Sequence, residues 1–186
     1  MMLEQGLAVA LELLQDSEGI YGTESRWKVC GELIRQAIQH PEVLYFNLKD
    51  EIRQALQTIA LVPTDSRLRR EATLALGWWG NEESAHILVE LAKDDDENIR
   101  RTYAFICGLL GGQEALESLC WSAENDGSEA VRYEAIDALA HSRFLAKHHW
   151  DAESEQLVRQ SLRQVADRIG EKRYLRGMAE YLLKSL

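Results

Sequence analysis

Proline is nearly missing from this chain: Pro41 and Pro63 are the two among 186 residues. Proline inside a helix removes a backbone donor and clashes with the preceding turn, so its scarcity suits a mostly helical chain. Cysteine is scarce too. Cys30, Cys107 and Cys120 show no C-x-x-C spacing, and three thiols leave one over if two pair, which points to a reducing cytosol rather than a disulfide framework. Cations are in the minority, 21 Lys and Arg against 31 Asp and Glu, for a net charge of −10. That balance speaks against general affinity for nucleic acid, which depends on cations neutralising phosphates, and against an anionic membrane surface. No run of about 18 apolar residues occurs, so no membrane span is expected. Glu4 stands where a secretory signal would carry basic residues, and no small-residue cleavage site follows the Leu7–Leu14 apolar stretch. The expected location is cytoplasmic.

What the chain does have is a hydrophobic content of 46%, ordinary for a folded protein, and a repeat. The segment Leu68–Gly77 is answered 31 residues later by Ile99–Gly108, and 32 residues further on by Val131–Ala140. Both halves of the unit read as helices. Leu68, Ala72, Ala75, Leu76 and Trp79 share one side of a 3.6-residue period, as do Ile99, Tyr103, Ile106, Cys107 and Leu110. Gly80 and Gly111 sit where such helices end. Ala85, Leu88, Val89 and Ala92 then map onto Leu116, Leu119, Cys120 and Ala123 as a second amphipathic helix, with Asn81 as its N-cap. The acidic stretch Asp94–Glu97, and Asp126 with Glu129, favour the positive N-terminal ends of the helices that follow.

The flanks drift from this pattern. Helices are expected near Leu3–Leu14, Trp27–Gln39 and Lys49–Ala60, with a polar loop at Ser17–Thr23. After Ala140 the stretch His141–Trp150 interrupts the repeat, then helices run near Asp151–Ile169 and Glu171–Leu186. With no low-complexity linker, the reading is one domain over 1–186, with repeats at 66–94, 96–126 and 128–169 and divergent capping helices at 1–62 and 171–186.

The pattern V/I/L-R-x-x-A-x-x-A-L-G-x-L-G, a short turn and a second helix ending in Asp resembles the short HEAT-like repeat of the phycobilisome-lyase type. Leu68–Asp94, Ile99–Asp126 and, less completely, Val131–Ala140 carry it. Ankyrin units would show T-P-L-H, and tetratricopeptide units their own aromatic series; neither is present. The resemblance implies an all-α fold, an α-α superhelix or solenoid of about five antiparallel helix pairs. It also implies a family used mostly for scaffolds and adaptors, with some members handling bilins and others acting as glycosylases or metal-dependent hydroxylases. Fold alone therefore assigns no activity.

The residues offer little chemistry. The hydroxylase branch depends on His-Glu dyads, and no His-Glu pair occurs here. His141, His148, His149 and Asp151 lie close in sequence, but adjacent histidines diverge on a helix and the spacing matches no metal motif. There is no G-x-S-x-G elbow or phosphate loop, and the cysteines sit at core positions. No catalytic residue, metal or cofactor is assigned.

Arg69, Arg100 and Arg132 recur at one repeat position near a helix N-terminus, where a cation opposes the dipole and needs compensation. Interleaved Asp65, Asp94–Glu97, Asp126 and Glu129 point to a ladder of structural ion pairs. The unusual feature is apolar surface in the wrong place. The seventh and eleventh positions of the first helix point away from the repeat core, yet they are Leu74 and Trp78, then Phe105 and Leu109. Trp121 is a second oddity, since its repeat counterpart is Glu90 and its helical neighbours Glu117 and Asn125 are polar. These five side chains are the expected contacts for a protein partner. A closed two-fold dimer of this chain would use the same surface. The functional expectation is a non-catalytic interaction scaffold, the alternative a bilin-handling protein, and a HEAT-like nucleic-acid enzyme is disfavoured by the charge.

Overall fold

The computed structural model describes residues 2–16, 19–63, 65–144 and 150–186, and no strand occurs among them. The fold class is the all-α, HEAT-like one that the repeat predicts. The chain divides into two compact units, residues 1–88 and 89–186.

The first unit contains α1 (Met2–Leu14), α2 (Gly22–Gln39), a 3-10 turn at Pro41–Tyr45, α3 (Lys49–Leu61), α4 (Ser66–Trp79) and the short α5 (Glu82–Ile87). Helix α4 packs against both α2 and α3, and α1 packs against the same two helices. Leu33, Ile52, Leu56, Leu76 and Trp79 are wholly buried. The Trp79 ring also carries a polar group inward, and its Nε1–H donates to the Leu33 carbonyl at 3.0 Å. Helix α2 begins five residues before the expected Trp27. Just ahead of it, the Asp16 carboxylate accepts the N–H groups of Ile20 (3.0 Å) and Tyr21 (2.9 Å), and Gly22 takes φ +70°.

The second unit contains a 3-10 turn at Val89–Lys93, α6 (Glu97–Leu110), α7 (Gln113–Asn125), α8 (Glu129–Phe144), α9 (Ala152–Asp167) and α10 (Arg173–Ser185). First helices stack on first helices, α6 on α8 on α10, and second helices likewise, α7 on α9. The approach of α6 to α8 is close. A Cβ on Gly108 would lie 3.1 Å from both Cβ and O of Ala138. Gly108→Ala is therefore expected to lower stability by about 1 kcal/mol, because overpacking of roughly 1–3 kcal/mol outweighs the gain in helix propensity. Thermal unfolding checks this, and an unchanged midpoint would mean that Ala138 yields.

Three expectations need correction. The second helix of the first repeat is not continuous: α5 ends at Ile87 and Val89–Lys93 is 3-10. A 3-10 turn has three residues per turn, so side chains three apart face the same way. Leu88 and Leu91 are accordingly buried, while Val89, placed in the core by a 3.6 period, is 43% exposed. Gly80 does not use the left-handed region at φ −81°, whereas Gly111 does at φ +72°. The helix does not stop at Ala140 either, because α8 runs on to Phe144, while residues 145–149 of the expected interruption lie outside the described residues. Asn81 caps α5 as expected, its Oδ1 accepting the Ser84 N–H at 3.1 Å.

Candidate interaction surface

The recurring arginines are placed by the helix starts. Arg100 lies in the first turn of α6, and its Nη1 reaches back to the carbonyls of Asp94 (2.8 Å) and Asp95 (3.3 Å). Its Nε and Nη2 grip the Asp126 carboxylate at 2.8 and 3.2 Å. Arg132 repeats the arrangement one unit on: Nη1 takes the Asp126 carbonyl at 2.8 Å and Nη2 takes Glu171 at 2.8 Å. The charge that opposes its own helix dipole thus meets the carbonyl-rich end of the preceding segment. Arg69, buried in the first unit, donates from Nε to the Ala60 carbonyl at 3.1 Å.

Two details escaped the sequence reading. Asp94 contributes its main chain to Arg100, its carboxylate being used by the Asp96 N–H at 3.0 Å. Glu171 lies just ahead of α10, outside any repeat register, so nothing in the pattern marks it. Its side chain is 2% exposed and also faces Arg168 Nη1 at 3.4 Å. Burial pushes the Glu171 carboxyl up, but the Arg132 hydrogen bond, the Lys172 N–H and the nearby guanidinium charges outweigh that and hold it below its ordinary value. Its stabilising contribution is complete above the unfolded value near 4.5 and is lost as pH falls through the lower folded value. Glu171→Gln should therefore lie below the parent in urea midpoint at pH 7, with the gap closing as pH drops below about 4.5. A gap that widens on acidification would show that the carboxylate contributes nothing as an anion.

The apolar side chains singled out by the repeat pattern fall in both units. Leu74 and Trp78, on α4 of the first, are half-buried. On α6 of the second, Leu109 is half-buried and Phe105 is 36% exposed. Trp121 stands out on α7 at 42% exposed. Its ring has the Lys93 ammonium 5.9 Å from the centroid, and its carbonyl accepts from Asn125 Nδ2 at 3.0 Å. A shallow groove of about 640 Å³ runs between α7 and α9, lined on α7 by Gln113 and Glu117. In the first unit a cleft of about 560 Å³ is lined by Leu14, Asp16, Arg26, Ala55 and Ile59 among others.

The thiols are unsuited to chemistry. Cys30, Cys107 and Cys120 are unpaired and buried, and burial pushes each up to about 12. His141 Nδ1 lies 2.9 Å from the Asp137 carbonyl oxygen on its own helix. His148 and His149 lie outside the described residues, and Asp151 caps α9 by accepting the Ser154 N–H at 2.8 Å. No described helix is long and apolar enough to cross a membrane.

Helices paired within a unit of about 31 residues, and stacked first on first and second on second, define an all-α helical-repeat protein. A family model described as HEAT repeats matches the chain three times, over residues 24–104, 53–140 and 88–168. The chain belongs to the HEAT-repeat family, and its architecture is a helical-repeat scaffold. No curated protein matches it.

Proposed function

We propose that this protein is a non-catalytic interaction module whose protein partner docks on exposed side chains of the repeat helices. Trp121 is the observation that carries the reading. A tryptophan 42% exposed on a polar helix face contributes little to the interior and is the residue type most enriched at binding hot spots. Leu74, Trp78, Phe105 and Leu109 are the further contacts proposed. Burial pushes the three thiols up to about 12, so none of them is offered as a nucleophile at neutral pH. Trp121→Ala is expected to remove partner capture in a quantitative pull-down from the host while shifting stability by less than about 0.5 kcal/mol. A large fall in melting temperature would assign the ring to packing and end the proposal.

A bilin-handling role is the second reading, suggested by the repeat subtype. It needs arginines for the propionates, and Arg100 and Arg132 are already engaged by Asp126 and Glu171. A visible absorbance shift on mixing with bilins would favour it over the interaction module.

A further inference from the structure

Resting on the docking role of Trp121, we infer that the α7–α9 groove receives an extended, basic segment of the partner. Two bonds fix how its walls run. Ser154 Oγ donates to Gln113 Oε1 at 3.0 Å, and Ser161 Oγ donates to the Cys120 carbonyl at 3.2 Å, each spanning 41 residues. The constant offset makes α7 and α9 parallel. On α7 the groove is lined by Gln113 and Glu117, one helical turn apart, and Trp121 stands one turn further along the same helix, beyond the lining. The other wall is formed by Glu153, Gln156 and Gln160 on α9.

The lining carries two carboxylates, Glu117 and Glu153, and no lysine or arginine. Glu117 is held in place, since Gln113 Nε2 donates to its Oε1 at 2.9 Å while Ser154 holds the other end of the same amide. Gln156 and Gln160, both exposed, bring amides able to bond the main chain of an extended peptide. The Lys93 ammonium lies 5.9 Å from the centroid of the Trp121 ring. Cationic side chains of the segment accordingly belong at Glu117 and Glu153, and an apolar one at the Trp121 end. A second copy of this chain is the poorer occupant, because two molecules of net charge −10 repel while a basic segment is drawn in.

The test uses the full chain and three fluorescein-labelled octapeptides in which Leu alternates with Lys, Ser or Glu. Anisotropy should show saturable binding of the Lys peptide alone, weakened by raising salt from about 50 to 500 mM. Glu117→Gln/Glu153→Gln should weaken it about tenfold without altering the thermal midpoint. Equal binding of the Ser or Glu peptide, or a double variant that binds as the parent does, overturns the inference. Loss of binding in Trp121→Ala with full binding in the double variant sinks the groove but leaves the Trp121 docking role standing. No binding of any peptide, with a sedimenting dimer dispersed by Trp121→Ala, assigns the face to a second copy and overturns the inference as well.

Discussion

Replacing Trp79 by alanine is expected to lower stability by about 3–5 kcal/mol, the range for removing a large aromatic side chain from a packed interior. The ring is wholly buried, and α4, which carries it, packs on both α2 and α3. Its loss leaves a cavity and takes the donor from the Leu33 carbonyl, which lies 3.0 Å from Nε1. Trp79→Phe separates the two effects, keeping most of the volume and losing the hydrogen bond; about 1–3 kcal/mol is expected. Denaturant unfolding followed by circular dichroism reads both. A Trp79→Ala protein as stable as its parent would show that the first unit gains nothing from this packing. Its neighbour Trp78, half-buried, makes the internal control.

The second large effect concerns Arg100. Asp126 is 2% exposed in its side chain, and Arg100 gives it two hydrogen bonds. Arg100→Ala leaves a carboxylate with little water, which keeps the Ser128 N–H as a donor 2.8 Å away. Removing one partner of such a pair is costly, about 3 kcal/mol here. Arg101→Ala is the contrast. It breaks an ion pair with Glu134 at 2.9 Å, but Arg101 is 53% exposed, and its loss should stay within about 1 kcal/mol. Arg132 ranks between them, since its Nε is buried without a hydrogen-bond partner and fewer of its donors are engaged. Equal melting temperatures for Arg100→Ala and Arg101→Ala would refute the distinction.

The helices and their repeat were legible because burial imposes a 3.6-residue period that glycine and acidic caps punctuate. Leu68, Ile99 and Val131, at one repeat position, are all buried. What periodicity misses is a change of period. The shift to 3-10 geometry at Val89–Lys93 involves no proline or glycine, so Val89 read as core. Long-range pairing was only partly legible. Asp126 shares the repeat register with Asp94 and could be matched to Arg100, whereas Glu171 answers Arg132 across 39 residues from a non-repeating position. For the candidate surface, the sequence marked Trp121 as an aromatic on a polar face. It could not mark the α7–α9 groove, because the parallel alignment of its walls depends on tertiary bonds.

The arginine that clasps the end of the preceding segment and the acid at the far end of its own unit has an evolutionary reading. Arg100 and Asp126 belong to the same 31-residue module, so a duplicate of that module would carry both halves of the clasp with it. Growth of the array then requires no new pairing to be invented. The next arginine is different: Arg132 turns to Glu171, an acid outside the motif, so this pairing does not travel with the 31-residue module.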